Sequence, residues 1–290
     1  MEYKVVASSV VPVSELISVV IPVYNATKEV ESCLRSVRAT VPPGTEVIVI
    51  DDASPDVSTR ALLESWAQMS IPGWIFKANA RNLGFVATAN RGMQSSRKNV
   101  VLLNSDTVVT RGWLEGLQRC LAFDSCIATA TPWTNNGEIV SLPGFCQANP
   151  VPADPDAVAR VLGDQSTVQY PDIPTAVGFC MAITRSAIER IGLFDEKLFG
   201  RGYGEENDFS MRAAQAGLRN VLCSDVYVVH LGGCSFAPLG LKPDESSMQK
   251  LLSRHPDYLV RVQEFITADP LSGLRATLVD ALQQSGVSLG

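Results

Sequence analysis

The sequence lacks the glycine-rich turns with which many folds bind nucleotides. A dinucleotide-binding fold carries Gly-x-Gly-x-x-Gly after its first strand, whereas the corresponding turn here, residues 22–25, reads Pro-Val-Tyr-Asn. The phosphate-binding pattern Gly-x-x-x-x-Gly-Lys-Ser/Thr is also missing from the 290 residues. NAD- and FAD-dependent enzymes are therefore disfavoured, and P-loop NTPases are excluded.

Basic clusters, metal-type cysteine spacing and long apolar runs are missing as well. The net charge is -6 without a basic block, so we expect no nucleic-acid partner. The seven cysteines have neither metal nor redox spacing, which favours reduced thiols in a cytosolic compartment. No run reaches the length of a membrane span. Residues 1–13 do not have the charge pattern of a signal peptide, so the sequence predicts a cytoplasmic protein.

The first 110 residues alternate apolar runs with helical patterns. We predict strands at 17–23, 46–50, 74–78 and 99–103, and helices at 28–39, 59–69 and 85–95. Continuous apolar runs are typical of strands that are buried on both faces of a parallel sheet. The alternation therefore predicts an α/β fold with a parallel sheet and helices on both faces.

The second half of the chain is less regular. We predict strands at 126–131, 175–184, 220–223 and 226–230, and helices at 113–122, 156–162, 186–191, 205–217, 246–254, 258–267 and 274–284. Residues 132–174 contain several prolines and little periodicity. A long irregular segment inside a compact domain is usually functional or mobile. We therefore expect this segment, with the glycine-rich loop at 200–204, to contact a substrate.

A carboxylate stands at the end of the central predicted strand. The apolar run at 100–103 is followed at once by Asn104, Ser105 and Asp106. In open α/β sheets ligands bind just beyond the carboxyl ends of the strands, where Asp106 could hold a divalent cation together with a substrate diphosphate. Asp106 could equally cap a helix or a turn. The strand end alone leaves both alternatives open.

Two more strand ends carry groups that bind ligands. Asp51 and Asp52 end the second strand, where a carboxylate could accept from a base N–H or a ribose hydroxyl, or could cap a helix. His230, one of only two histidines, ends the last strand. A lone histidine is often only a satisfied polar residue, but imidazole suits Mn²⁺ and similar ions. With Asp106 at another strand end, a shared metal site becomes the hypothesis.

Three carboxylates cluster behind the loop at 200–204. Glu205, Glu206 and Asp208 stand at a helix start, where negative charge is favourable. Like charges close together raise one another's pKa, and a carboxylate with a raised pKa suits a general base. Spacing places Glu205 and Asp208 on one helical face and directs Glu206 elsewhere. The choice among the three stays open.

In their order and spacing these blocks resemble glycosyltransferase family 2, inverting enzymes with the A-type nucleotide-sugar fold. The similarity spans about residues 17–236, and the most similar pattern is that of rhamnosyltransferase-type enzymes that build bacterial surface polysaccharides. It rests on Val-Ile-Pro-Val-Tyr-Asn at 20–25, Asp-Asp-Ala-Ser at 51–54, Asn-Leu-Gly-Phe at 82–85, Leu-Asn-Ser-Asp-Thr at 103–107, Gly-Leu-Phe-Asp-Glu at 192–196, Gly-Tyr-Gly-Glu-Glu-Asn-Asp-Phe at 202–209 with Arg212, and His-Leu-Gly-Gly at 230–233.

The resemblance implies a single A-type glycosyltransferase domain with a Rossmann-like, mostly parallel central sheet flanked by helices. This domain would occupy residues 16–236, with a nucleotide-binding half at about 16–110 and an acceptor and catalytic half at about 111–236. An N-terminal tail at 1–15 and a helical C-terminal extension at 237–290 would flank it.

The resemblance also implies a role for each matching residue. The residues that would bind the nucleotide sugar are Pro22, Tyr24, Asn25, Asp51, Arg81, Asn82, Asn104 and Ser105, with Asp51 on the base or ribose. Asp106 and His230 would hold the divalent cation, Mn²⁺ or Mg²⁺. Glu206 stands at the usual position of the general base, and Glu205 and Asp208 remain alternatives.

Two positions depart from the family pattern. Asn104 replaces the first aspartate of the Asp-x-Asp metal motif, and Glu206 replaces an aspartate. The implied function is the metal-dependent, inverting transfer of a sugar from a nucleoside-diphosphate sugar to a hydroxyl of a glycan or glycolipid. The acceptor would bring the protein to the inner face of the membrane. Asn104 also permits the alternative of a non-catalytic nucleotide- or glycan-binding module.

Overall fold

The computed structural model describes residues 11–166, 168–232 and 245–289. Within these residues eight strands form one sheet: β1 (Ile17–Val23), β2 (Val47–Asp51), β3 (Trp74–Ala78), β4 (Asn99–Leu103), β5 (Thr107–Val109), β6 (Ile127–Trp133), β7 (Cys180–Ile183) and β8 (Arg219–His230). The helices described there are α1 (Val13–Leu16), α2 (Thr27–Thr40), α3 (Val57–Gln68), α4 (Phe85–Ser95), α5 (Trp113–Phe123), α6 (Pro155–Gly163), α7 (Arg185–Ile191), α8 (Glu196–Phe199), α9 (Glu205–Gln215), α10 (Glu245–Arg254), α11 (Tyr258–Ala268) and α12 (Ser272–Gln284).

The first half of the sheet is parallel, as its apolar runs predict. β1 lies between β2 and β4, and β3 pairs with β2 at the edge. Every residue of β1 and β2 is buried, because helices cover both faces of the sheet. The strands therefore end together at one edge, where ligands bind in folds of this class. The predicted α/β fold with a mostly parallel sheet is confirmed.

The second half of the sheet is mixed and differs from the predicted strands. β7 is shorter than predicted and runs antiparallel between β4 and β6. The two strands predicted at 220–223 and 226–230 are one twelve-residue strand, β8. The short strand β5 was not predicted, and it pairs antiparallel with β8, placing Thr107 opposite His230. This pairing closes the sheet order β3-β2-β1-β4-β7-β6-β8-β5.

The C-terminal helices are present as predicted, and they pack into the same domain. Leu251 and Tyr258 join the buried cluster on one face of the sheet, whereas Leu278 and Leu282 join the cluster on the other face. The proposed boundary between 236 and 237 stays a prediction, because residues 233–244 lie outside the described part. The same holds for residues 1–10 of the predicted tail at 1–15, whereas α1 begins within this tail at Val13 and ends at Leu16.

In the described ranges no helix combines the length and the apolar character that a bilayer crossing requires.

One close contact between α4 and the sheet gives a test of the fold. A Cβ atom at Gly92 would lie 2.1 Å from the Cγ1 of Val20 on β1. We expect Gly92→Ala to lower the free energy of unfolding by about 1–3 kcal/mol through overpacking, measured by urea denaturation. The loss should shrink in a Val20→Ala background, where the methyl group has room.

Gly273→Ala is the matched control, since Gly273 also lies in a helix and nothing stands within 4 Å of its missing Cβ. We expect this variant to be neutral or more stable by up to about 1 kcal/mol, from helix propensity. An equal cost of Gly92→Ala with and without Val20 would contradict the close packing.

Candidate functional site

A cleft opens at the carboxyl ends of the parallel strands. It brings together nine of the residues that the sequence singled out: Pro22, Tyr24, Asn82, Asn104, Ser105, Asp106, Glu205, Glu206 and His230. They come from the ends of β1, β4 and β8, the loop before α4 and the first turn of α9. Four other candidates, Asn25, Asp51, Arg81 and Asp208, do not line the cleft.

Asp106 and His230 face each other in this cleft. Oδ1 of Asp106 is buried without a hydrogen-bond partner in the described structure, and it lies 3.6 Å from Nε2 of His230. Nδ1 of His230 donates to the carbonyl oxygen of Asn136 at 2.6 Å. In the neutral imidazole Nε2 therefore presents a lone pair to the carboxylate. A carboxylate oxygen and an imidazole nitrogen that face each other in this way are suited to bind the same divalent cation.

The surroundings hold His230 in this orientation. Its backbone N–H donates to Oδ1 of Asn135 at 2.9 Å, and Nδ2 of Asn135 donates to its carbonyl at 3.1 Å. Its ring stacks on Phe179, with the centroids 5.2 Å apart. The described residues contain no group of three or more histidine, cysteine or acidic side chains that could hold a metal. Further ligands would therefore come from water or from a substrate, as Mg²⁺ and Mn²⁺ sites allow.

Glu205 and Glu206 form the second feature of the cleft. Glu205 is 5% exposed and Glu206 is half-buried, and Oε2 of each has no hydrogen-bond partner in the part of the chain described. Burial and the charge of Glu206 raise the pKa of Glu205 well above its ordinary value. Burial and the charge of Glu138 raise the pKa of Glu206. Two such carboxyl groups are suited to proton transfer near neutral pH.

Asp208 is not part of the cleft, although the spacing placed it on the same helical face as Glu205. Its Oδ2 accepts from Nε of Arg212 at 2.8 Å, and its Oδ1 accepts from Arg254 at 3.0 Å and from Nε2 of His255 at 2.9 Å. Both oxygens of this fully buried carboxylate are thereby engaged in tying α9 to α10. Glu206, expected to point elsewhere, lines the cleft instead.

The two aspartates at the end of β2 differ from the expectation that Asp51 binds the base or ribose. Oδ1 of Asp51 accepts from the backbone N–H and the hydroxyl of Ser54, at 3.0 and 2.6 Å, and Asp51 does not line the cleft. Asp52 lines it, and its oxygens accept from the backbone N–H groups of Leu83 and Gly84 at 2.7 and 2.8 Å. Asp52 therefore fastens the loop before α4 to the end of β2.

Asn25 and Arg81 lie beside the cleft rather than in it. Oδ1 of Asn25 accepts from the N–H of Asp56 at 3.1 Å, and its own N–H donates to Ser54 at 2.9 Å. Asn25 thus joins the loops that follow β1 and β2. Arg81 is exposed next to Asn82, which does line the cleft.

Other lining residues were not singled out from the sequence. Glu138 is an exposed carboxylate with a left-handed backbone (φ +50°), a conformation that is uncommon for residues other than glycine. Arg201 and Tyr203 come from the loop before α9, and Met248 and Tyr258 come from the C-terminal helices. Glu138 lies in the segment 132–174, and Arg201 and Tyr203 lie in the loop 200–204, two segments that were expected to contact a substrate. No local pattern predicts the position of Met248 and Tyr258, because tertiary packing alone brings them to the cleft.

Comparison with known protein families matches residues 18–192 to glycosyl transferase family 2. The chain belongs to this family. A pre-mycofactocin glycosyltransferase of Mycobacterium tuberculosis (strain CDC 1551 / Oshkosh) is 31% identical over 216 residues, which cover 70% of this chain and 40% of that protein. The chain spans two fifths or less of the length of the first curated relatives that it matches, 35% and 40%.

Solved structures share the fold of this family 2 domain. GalNAc-T7, solved with UDP, GalNAc and Mn²⁺, superposes with a TM-score of 0.65 at 18% identity, over 92% of this chain and 54% of that one. The mannosyltransferase PcManGT from Pyrobaculum calidifontis, solved with GDP-Man and Mn²⁺, gives a TM-score of 0.55 at 17% identity, over 93% of this chain and 74% of that one. At these identities the likeness shows the fold alone.

The raised pKa of Glu205 makes a prediction about stability. The folded protein holds this proton to a higher pH than the unfolded chain, so ionisation destabilises the fold as pH rises through the raised pKa. Glu205→Gln removes this cost, at about 1.4 kcal/mol for each unit of raised pKa. We expect urea denaturation to show little difference from the wild type at pH 4 and a more stable variant at pH 8.

Glu264→Gln is the matched control, since Glu264 is exposed on α11 and does not line the cleft. Its effect on stability should be near zero at both pH values. A gain for Glu205→Gln that does not grow with pH would contradict a buried carboxyl whose charge is unfavourable.

Proposed function

We propose that this family 2 domain transfers a sugar from a nucleoside-diphosphate sugar to a hydroxyl group, with a divalent cation held by Asp106 and His230. The observation that carries the proposal is one cleft with a buried, unpartnered Asp106 oxygen facing His230 and two unpartnered carboxylates, Glu205 and Glu206. A binding site with no chemistry to perform has no need for three buried carboxylate oxygens that lack partners, since each costs stability.

The donor would lie along the ends of β1 and β4. Pro22 and Tyr24 offer an apolar wall with a polar edge to a nucleotide, and Asn104 and Ser105 offer hydrogen bonds beside Asp106. When bound, the cation would neutralise charge on the departing nucleoside diphosphate. Because Asn104 is neutral, Asp106 would be the single carboxylate of this site, and a substrate diphosphate would supply further oxygen ligands. The UDP and GalNAc in the GalNAc-T7 structure and the GDP-Man in the PcManGT structure support this class of donor.

Glu206 is the general base in this proposal. Glu206 lines the cleft as a half-buried residue, whereas Glu205, which also lines it, is almost completely buried. The base removes the proton of the acceptor hydroxyl while that oxygen attacks the anomeric carbon and the diphosphate leaves from the opposite face. One displacement of this kind inverts the configuration. Burial and the charge of Glu206 raise the pKa of Glu205, so Glu205 is the member of the pair that keeps its proton.

The acceptor would enter past Glu138 and the wall formed by Met248 and Tyr258. Our proposal for the acceptor is a glycan or glycolipid, and the motif resemblance to rhamnosyltransferase-type enzymes favours a hexosyl or deoxyhexosyl donor and surface polysaccharide synthesis. A glycolipid acceptor would bring this domain to the membrane surface through the substrate. The alternative of a non-catalytic binding module rests on Asn104 alone, and the next two experiments separate it from an enzyme.

Nucleotide binding tests the metal site. We expect isothermal titration calorimetry to show that one of UDP, GDP or dTDP binds in the presence of Mn²⁺ and much more weakly without it. Asp106→Ala should weaken this binding by about a hundredfold or more, because the carboxylate is the one charged protein ligand.

Asp164→Ala provides the matched control, since Asp164 is exposed at the end of α6 and lies outside the cleft. It should bind nucleotide as the wild type does. Metal-independent binding that Asp106→Ala leaves intact would rule out the proposed cation site.

Proton transfer tests the base. We expect Glu206→Gln to lower kcat by about 10²- to 10⁴-fold while nucleotide affinity stays unchanged. Glu205→Gln should keep most of kcat, because the buried Glu205 retains its proton when Glu206 ionises and is not the group that accepts the proton.

A large loss for Glu205→Gln and none for Glu206→Gln would exchange the two roles. If nucleotide binds but no sugar is transferred to any glycan or glycolipid acceptor tried, the binding module becomes the better description. Retention of anomeric configuration, read by proton NMR, would contradict the single displacement.

A further inference from the structure

The cleft carries much more negative than positive charge. Five carboxylates line it: Asp52, Asp106, Glu138, Glu205 and Glu206. Arg201 is the only lysine or arginine among the lining residues that the structure describes. A nucleoside diphosphate would bring further negative charge into this surrounding, so a single positively charged side chain there has a large electrostatic effect.

Backbone N–H groups at helix starts often bind phosphate, but three of those that lead into α4 are already engaged. Leu83 N and Gly84 N donate to Asp52 at 2.7 and 2.8 Å. Phe85 N, the first of the helix, donates to the carbonyl oxygen of Arg201 at 3.1 Å. These three N–H groups are therefore not available to a phosphate, and at this wall of the cleft Arg201 offers a side-chain donor.

The backbone of Arg201 is closely packed, whereas its side chain is exposed. A Cβ atom at Gly84 would lie only 2.7 Å from the Arg201 Cα, so the two backbones are in close contact. The Arg201 side chain is exposed, and its Nη2 donates to one neutral acceptor, Oδ1 of Asn82, at 2.6 Å. Arginine binds phosphate through parallel N–H donors, a stronger interaction than a single bond to an amide oxygen.

The loop around Arg201 is built to hold it over the cleft. Gly200, Gly202 and Tyr203 all have left-handed backbone conformations, with φ of +57°, +140° and +73°. This path turns the chain sharply between α8 and α9, so that Arg201 reaches the wall at α4 while Glu205 begins the next helix.

We propose that the Arg201 guanidinium binds the diphosphate of the donor and compensates its negative charge when it leaves. This inference rests on the proposed function and names a second positive group for the same leaving group, supplied from the α4 side of the cleft. On binding, Arg201 exchanges Asn82 for a phosphate oxygen. No covalent step involves Arg201, which acts only through charge and hydrogen bonds.

Calorimetry with a nucleoside diphosphate, the monophosphate and the free nucleoside tests this role without an activity assay. The base used is the one that the wild type prefers among UDP, GDP and dTDP, with Mn²⁺ present throughout. We expect Arg201→Gln to raise the Kd of the diphosphate about tenfold or more, which is the range for a charged hydrogen bond. The Kd of the nucleoside should not change, and Arg201→Lys should recover part of the loss.

Arg160→Gln is the matched control, because Arg160 is an exposed arginine on α6 that does not line the cleft. It should bind all three ligands as the wild type does. If Arg201→Gln binds the diphosphate normally, or loses nucleoside affinity to the same extent, the inference is overturned while the proposed function stands. If the wild type binds none of the diphosphates, both fail together.

Discussion

Strands β5 and β8 pair antiparallel with Thr107 opposite His230, and this register creates the site. The N–H of Leu231 also donates to the carbonyl of Asp106 at 3.0 Å, which extends the pairing past the strand ends. Asp106 and His230, which are 124 positions apart in the chain, are thereby held with Oδ1 of Asp106 3.6 Å from Nε2 of His230. A slip of one residue would turn His230 to the other face of the sheet. On its other side β8 pairs in parallel with β6, with two register shifts along the pairing. β8 is therefore held between two neighbouring strands.

Five carboxylates in and near the cleft form two groups that differ in their hydrogen-bond partners. Asp52 and Asp208 are buried with both oxygens hydrogen-bonded, and each joins a helix to the rest of the fold. Asp106, Glu205 and Glu206 each leave an oxygen without a partner in the described structure. The satisfied carboxylates stabilise the frame, because their desolvation is compensated by charged or backbone donors. The three carboxylates with an unpartnered oxygen destabilise the fold and line the cleft. Binding of a cation or a proton there would relieve this unfavourable desolvation.

The sequence predicts the first half of this fold well, because strands such as β1 and β2 are buried on both faces and read as unbroken apolar runs. β5 has three residues and no such signal. β8 reads as two strands because Asp225 interrupts its apolar run, yet Arg119 pairs with this carboxylate at 2.8 Å and allows its burial. At the site, the strand ends could be predicted but not the roles of adjacent carboxylates. Which of Glu205, Glu206 and Asp208 enters the cleft depends on Arg254 and His255, more than 40 residues further along the chain.

The part of the chain that matches the family ends at residue 192, before the wall that the proposed acceptor would contact. Glu205 and Glu206 follow this match, and Met248 and Tyr258 come from helices that follow later still. The donor side is made of strand ends whose positions the sheet dictates, so it can change little without loss of the fold. The acceptor wall is made of side chains on peripheral helices, where a substitution alters the shape of the cleft and leaves the sheet intact. Burial and the nearby charges of Glu206 and Glu138 raise the pKa of Tyr258, so its hydroxyl stays protonated. One fold can in this way keep a common donor chemistry while its acceptors diverge.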